Sequence, residues 1–251
     1  MDKPLVSIIT PTYNSERFIE QTINSILNQS FTDWELLIVD DCSTDNSWNI
    51  ISLAAKNDSR IKPLRLEKNS GSGVARNLAI QNAEGKYLAF IDSDDLWAPQ
   101  KLERHIDFML KGNHVFSHTP FGYVTEDGRQ LKKIHKIRSK PVDYKYLLKR
   151  TDIGCLTAIY DQEQIGKFFM PDLRRKQDYC LWLSILKNGF VSMPYNEVLS
   201  FYRRRKNSAT SKKILLIPEH FRLLRDYENL SFLQSLKYTI YWMAGGVIKK
   251  I

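Results

Sequence analysis

Two hydrophobic periods alternate along the first part of this chain. Residues 5–10 are a short, almost continuous apolar run, and Pro11-Thr-Tyr-Asn14 reads as the turn that ends it. Apolar positions then recur at Phe18, Ile19, Ile23, Ile26 and Leu27, the 3.6-residue spacing of a helix, with Ser15 placed to cap it. The alternation repeats. Residues 34–39 read as a second strand ending on Asp40 and Asp41, and Ser43-Thr-Asp-Asn46 opens a helix carrying Trp48, Ile51, Leu53 and Ala54. Residues 61–66 are a third strand, Ser70-Gly-Ser-Gly73 a small loop, and 74–83 a helix that Gly85 is expected to stop. Residues 87–91 are a fourth apolar run. Apolar strands separated by amphipathic helices predict a parallel α/β sheet with helices on both faces. Ligands of such sheets bind beyond the carboxyl ends of the strands. Asp40, Asp41, the 70–73 loop and the acids after residue 91 would all lie on that edge.

The pattern changes after a helix predicted over 99–110. Residues 114–118, 123–124 and 130–134 read as strands, with Glu126-Asp-Gly128 as a hairpin turn. Residues 151–160 read as another strand, and 198–202 as the last. Between them, 178–188 reads as a helix with Trp182, Ile185 and Leu186 on its apolar side and Gly189 after it. From residue 214 the chain reads as two helices, 218–230 and 231–248. This divides the chain into a main domain over 1–212 and a helical segment over 213–251. The last helix sets aromatics beside Lys237, Lys249 and Lys250, the usual equipment of an interfacial helix. Packing against the domain is the competing reading.

Chemistry enters where the fourth run ends. Asp92-Ser-Asp94-Asp95 sets three carboxylates within four residues. In extended chain Asp92 and Asp94 share a side and Ser93 faces away. Such neighbours raise each other's pKa unless a cation lies between them. Oxygen ligands suit Mn2+ or Mg2+, and Mg2+ is commonly held by one or two carboxylates plus substrate phosphates. The stretch therefore reads as the seat of a metal–diphosphate, against the alternative of a solvated turn capping the next helix. A calcium loop does not fit, because Trp97 stands where the turn glycine is needed and a strand precedes.

Bulk properties narrow the partners. The net charge of +9 implies polyanionic company, and basic residues accumulate over 132–150, as a solvated face or as a surface toward phosphates or anionic lipid. Cys42, Cys155 and Cys180 show no metal spacing and suit a reducing cytosol. The N-terminus shows no targeting pattern, and no apolar stretch reaches the roughly 20 residues of a spanning helix. A cytoplasmic protein is expected. No phosphate loop of the G-x-x-x-x-G-K kind is present, and Gly71-Ser-Gly73 followed by Arg76 lacks the third glycine of a dinucleotide fingerprint. Tyr13 can instead stack on a base, Asp41 accept from a base N–H, and Asp92 and Asp94 hold ribose and metal–diphosphate.

Taken together, residues 6–14, Ile38-Val-Asp-Asp41 with Ser43, Gly73-Val-Ala-Arg-Asn77, Gly85-Lys-Tyr87, Phe90-Ile-Asp-Ser-Asp-Asp-Leu-Trp97 and Gln177-Asp178-Tyr179 with Trp182 resemble family 2 of the inverting glycosyltransferases. The likeness runs from about residue 5 to 211, and its flavour is that of bacterial O-antigen, capsule or teichuronic-type enzymes. The resemblance implies a GT-A fold, a Rossmann-like mixed but mainly parallel sheet. It implies a UDP-sugar donor and a hydroxyl of a saccharide acceptor, lipid-diphosphate-linked, at the inner face of the plasma membrane, with anionic lipid as a further partner and no nucleic acid. Pro11, Thr12, Tyr13, Asp41, Arg76, Asp92 and Ser93 would bind the nucleotide, Asp94 the metal, and Asp178 would be the general base, with an N-cap as its alternative role. Asp95, Trp182, Arg203 and Arg205 are further candidates for the acceptor or diphosphate, the core being the other place for Trp182. A segment near the diphosphate would include Ser208 and Ser211. The competing functions are a sugar nucleotidyltransferase, which would want a glycine-rich basic loop where Pro11-Thr-Tyr-Asn14 stands, and a non-catalytic basic membrane-binding module, which leaves the ordered carboxylates unexplained.

Overall fold

The computed structural model describes residues 3–205 and 216–248, with side chains as far as 245. Its first part is β1 (Val6–Thr12), α1 (Ile19–Leu27), β2 (Trp34–Asp40), α2 (Ser47–Asn57), β3 (Ile61–Arg65), α3 (Ser72–Asn82) and β4 (Tyr87–Phe90). There follow β5 (Leu96–Trp97), α4 (Lys101–Gly112), β6 (Phe116–His118), β7 (Phe121–Val124), β8 (Gln130–His135) and a one-turn α5 (Tyr144–Leu147). The chain continues through β9 (Ile159–Asp161), α6 (Gln162–Ile165), α7 (Gln177–Lys187), β10 (Met193–Pro194) and β11 (Ser200–Arg203). The described C-terminal part is α8 (Leu216–Arg222), a π-helical turn over Leu223–Tyr227, and α9 (Phe232–Ile248).

A seven-stranded sheet has the order β10-β6-β9-β4-β1-β2-β3. The strands β3, β2, β1 and β4 are parallel, as their patterns predict. The other half is mixed, because β9 runs antiparallel to both β4 and β6. The strand expected over 151–160 is only its last residues; a 3-10 turn at Cys155–Thr157 precedes it. A smaller sheet, β5-β11-β7-β8, sits beside the first.

Alternation along the strands splits the core. Ile9, Leu37, Val39 and Phe90 point to one face, where α3 and α7 supply Ala75, Ala79, Leu181 and Trp182. Ile8, Leu36, Ile38 and Ala89 point to the other, against Ile19, Ile23, Ile51 and Leu102 of α1, α2 and α4. Register aligns Thr12 with Asp40 and Ile9 with Phe90, so β1, β2 and β4 end together on one edge.

Two local expectations change. Ser15 does not cap α1 with its side chain; its carbonyl accepts from the amides of Phe18 and Ile19 at 2.9 Å. Gly85 is not a helix stop. A Cβ there would lie 2.6 Å from the Ser7 amide nitrogen, so glycine is needed because the backbone of β1 passes so close. The C-terminal helices pack on the domain: Lys187 and Tyr144 both bind Glu228, and Arg175 pairs with Glu219.

Candidate active site

The acids that end β4 do not continue the strand. The amide of Asp95 donates to the carbonyl of Asp92 at 3.0 Å, closing a turn. Strand alternation therefore stops at Ile91, and each acid takes its own partner. Asp92 is ion-paired with Arg76 of α3. The hydroxyls of Ser93 and Ser15 lie 2.8 Å apart, tying this turn to the loop after β1. Asp94 Oδ2 accepts from Arg205 Nε at 2.9 Å. Asp95 is wholly buried; its Oδ1 accepts from the Arg203 amide at 2.9 Å, and its carbonyl accepts from the Thr22 hydroxyl.

Charge in this turn is crowded. Burial, then Asp92, raise the Asp94 carboxyl, with Arg205 opposing. Burial, then Asp94 and Asp92, hold Asp95 well above the carboxylate range.

Asp178 reaches the same place from the first turn of α7. It does not cap the helix. The cap position is Lys176, in the left-handed region at φ 60°, with no side-chain cap. Burial raises the Asp178 carboxyl, Arg76 opposes the rise, and Asp92 adds to it. For Arg76, burial opposes the charge, but Asp92, Cys155 and Asp178 outweigh it and push the guanidinium pKa up. Arg76 is thus ion-paired with Asp92 and within electrostatic reach of Asp178. Gln177, one residue before Asp178, donates to the Ser72 hydroxyl at 3.3 Å, and a Cβ on Gly73 would lie 3.1 Å from its side chain. The N-termini of α3 and α7 meet here.

The nucleotide candidates line the neighbouring loops. Tyr13 is an exposed ring, while Pro11 and Thr12 are buried at the end of β1. Asn14 takes φ 47° and accepts from the Thr44 amide, joining the loops after β1 and β2. Asp41 is buried and accepts from the amides of Ser70 and Gly71 at 2.7 and 2.8 Å. It shapes the 70–73 loop that leads into Arg76.

Three predicted contacts are corrected. Trp182 is fully buried, 5.3 Å edge-on from Phe90 and 5.4 Å from Phe116, and belongs to the core. Asp95 lies inside the turn and faces no acceptor. Arg203 is 1% exposed and spends its donors on the carbonyls of Asp94 and Glu126 and on Gln21. Arg205 alone of that group is accessible. Ser208 and Ser211 lie outside the described residues. Sequence reasoning missed Cys155 and Lys176, both within electrostatic reach of Asp178. No spacing signal marks either, because one sits in a 3-10 turn and the other at a left-handed cap, both brought in by contacts distant in sequence.

The residues fit a divalent cation of the Mn2+ or Mg2+ kind. Among the described residues no three His, Cys, Asp or Glu side chains form a ready metal cage. Mg2+ bound through one or two carboxylates and substrate phosphates needs none. The crowding of Asp94 by Asp92 in the turn is what such an ion relieves.

A parallel βαβ half with its loops gathered over one edge, an acid turn after β4 and a second acid within its electrostatic reach on α7 are the arrangement of a GT-A glycosyltransferase. Residues 7–169 match the model of glycosyl transferase family 2, and the chain belongs to that family. It is 43% identical over 250 residues to a Bacillus subtilis (strain 168) protein named as a teichuronic acid biosynthesis glycosyltransferase, TuaG, covering 99% of this chain and 98% of that one. It is 37% identical over 252 residues to the Escherichia coli UDP-Glc:alpha-D-GlcNAc-diphosphoundecaprenol beta-1,3-glucosyltransferase WfgD, covering 99% of this chain and 96% of that one. The fold matches that of the mannosyltransferase PcManGT of Pyrobaculum calidifontis, solved with GDP-Man and Mn2+, at a TM-score of 0.69 and 18% identity, over 95% of this chain and 70% of that one.

Proposed function

We propose that this glycosyltransferase moves a sugar from a UDP-sugar to a hydroxyl of a lipid-diphosphate-linked saccharide, with inversion, in bacterial cell-surface polysaccharide synthesis. The observation that carries the reading is that Arg76, ion-paired with Asp92, is also within electrostatic reach of Asp178. Tyr13 stacks on the uracil, with Pro11, Thr12 and Asp41 around it. Asp92, Ser93 and Arg76 hold the ribose side. Asp94, beside Asp92, holds Mn2+ or Mg2+, which when bound supplies charge neutralisation at the departing diphosphate. Asp178 takes the proton of the acceptor hydroxyl as that oxygen attacks the anomeric carbon from the face opposite the diphosphate. Its raised pKa favours that role, because a more basic carboxylate draws the proton more strongly. One displacement with one base inverts the centre and needs no covalent nucleophile.

The WfgD name and the outer face of α9 support the lipid-linked acceptor. That helix packs Tyr238 and Trp242 against the protein and carries a second apolar stripe outward. Ser235, Thr239 and Gly245 are buried against the protein, while Phe232, Leu233, Leu236, Ile240 and Met243 are exposed. At 3.6 residues per turn the exposed set falls within an arc of about 100°. Lys237 lies next to it, and Lys149 sits 5.6 Å from the Tyr241 ring. Among the described residues no helix is long and apolar enough to cross a membrane. The stripe supports peripheral binding to an anionic bilayer, on the inner face of the plasma membrane, where a lipid-linked acceptor would be presented.

The test is a panel of UDP-sugars assayed for UDP release with a polyprenyl-diphosphate saccharide, with and without Mn2+. Asp178→Asn is expected to abolish transfer while leaving UDP binding. Transfer by Asp178→Asn at the parent rate would overturn the assignment of the base.

A further inference from the structure

We propose that Arg205 holds the place of the divalent cation on Asp94 and moves to the diphosphate when metal and nucleotide bind together, which makes metal binding depend on the nucleotide. The proposal rests on reading Asp94 as the metal-binding carboxylate.

Three arginines face the acid turn, and they are not equivalent. Arg76 is 6% exposed and committed to Asp92 beside Asp178. Arg203 is built in: Nε donates to the Asp94 carbonyl at 2.6 Å, Nη1 to the Glu126 carbonyl at 2.7 Å and Nη2 to Gln21 Oε1 at 2.9 Å. Its amide also holds Asp95, so moving Arg203 would unmake the end of β11. Arg205 differs. Its polar contact is the 2.9 Å pair with Asp94 Oδ2, its guanidinium lies 5.7 Å from the centre of the Phe18 ring, and its side chain is 40% exposed. It can leave without breaking any other hydrogen bond described here.

Arg203 decides where Arg205 stands. Arg203 fixes the end of β11 on the acid turn, and Arg205, two residues on, meets Asp94 of the same turn. The oxygen it occupies is on the carboxylate that a metal would need. A guanidinium and a divalent ion repel each other there, so metal alone must break the pair. A diphosphate changes the balance, because its oxygens match the fork of an arginine and offer the released side chain a new partner. Nucleotide thus helps metal displace Arg205, and by linkage metal helps nucleotide to the same degree.

The test is Mn2+ binding, followed by the electron paramagnetic resonance of free Mn2+, on the parent, Arg205→Ala, Arg205→Gln and Asp94→Asn, each with and without UDP. A partly exposed ion pair is worth up to about fivefold in affinity. Both Arg205 variants are expected to bind Mn2+ alone up to about fivefold more tightly than the parent, and UDP is expected to tighten their Mn2+ binding by a smaller factor than it does in the parent. Folded Arg205 variants that bind Mn2+ no more tightly than the parent would overturn the proposal. Asp94→Asn binding Mn2+ as well as the parent would instead overturn the metal reading of Asp94, a separate result read from a separate variant.

Discussion

The ammonium of Lys176 lies 4.1 Å from the centre of the Trp242 ring. Lys176 occupies the left-handed position before α7, two residues ahead of Asp178, and Trp242 belongs to α9. His220 stacks on the same indole, with ring centroids 4.5 Å apart. The last helix therefore bears directly on the first turn of the helix that carries the candidate base. An apolar contact with a buried charge in it has a pH signature.

Burial pushes Lys176 down to about 8, against the pull of Glu219, Cys180 and Asp178. In the unfolded chain the same amine keeps its proton to about 10.4. Between these values the unfolded state holds more protons than the folded one, so stability rises with pH. Below pH 8 the penalty of the buried charge is fully present. Lys176→Met keeps the contact with Trp242 and removes the charge. It is expected to be more stable than the parent at pH 7 by about 1–2 kcal/mol, after allowance for solvent screening. Urea unfolding at pH 7 and pH 10 checks this; a gap that does not narrow at the higher pH would sink it.

The pH dependence of transfer tests the electrostatic influence of Arg76 on Asp178. Burial raises the Asp178 carboxyl above its ordinary value and Arg76 holds it back. As a base, Asp178 works only when ionised, so activity falls on the acid side through that raised pKa. Arg76→Gln removes the cation that favours the ionised form, and the acid limb is expected to move to higher pH. Turnover is also expected to fall by about 10²-fold, as positioned cations at a charged site commonly require. The measurement is kcat/KM across pH 4–9 for parent and variant. An acid limb that stays put would separate Arg76 from the base.

How much of this was legible in the sequence depends on which contacts are local. The strands β1 to β4 and the helices between them follow from hydrophobic period, and the acid turn follows from composition at a strand end. The direction of β9 did not, because it is set by its two neighbours in the sheet, both distant in sequence. Trp182 reads as either site or core on a helical wheel, and only Phe90 and Phe116 decide for the core. Arg203 and Arg205 look alike in sequence. Their difference lies in the carbonyls of Asp94 and Glu126 and in Gln21, which receive one guanidinium and not the other.

Gly85 gives a stability prediction with a geometric cause. A Cβ at this position would meet the Ser7 amide nitrogen at 2.6 Å and the Val6 carbonyl carbon at 2.7 Å, both backbone atoms of β1. The Gly85 amide also donates to the Ser7 hydroxyl, which in turn donates to buried Glu35 at 2.6 Å. Gly85→Ala must push β4 away from β1 or strain this chain of bonds. A loss of about 3 kcal/mol is expected, at the upper end for overpacking. Equilibrium unfolding in urea measures it, and a loss under about 0.5 kcal/mol, the range of neutral surface changes, would refute the close-approach account.

The exposed apolar stripe of α9 gives the last prediction. Leu233 is 75% exposed and Ile240 57%, while Ser235 on the opposite side is fully buried. A helix folded only to cover the domain would be expected to turn the other way, since burying the leucines and exposing the serine is favoured by the transfer of apolar surface. Its packed face, with Tyr238 and Trp242 among Ser235, Thr239 and Gly245, lies on α8, His220 and near Arg150, leaving a second set of large apolar side chains for another medium. Substituting Leu233, Leu236 and Ile240 together by Ser leaves the packed face untouched, so the fold should hold. Each apolar side chain placed in a bilayer interface contributes roughly 1–2 kcal/mol, a fraction of full burial. The triple variant is therefore expected to bind phosphatidylglycerol-containing vesicles at least about 10²-fold more weakly than the parent, while its thermal midpoint and its UDP binding stay the same. Binding of the parent should weaken with added salt if Lys237 and Lys149 contribute. Sedimentation with vesicles of graded anionic content measures both effects. Equal sedimentation of parent and triple variant would assign the exposed stripe to something other than lipid.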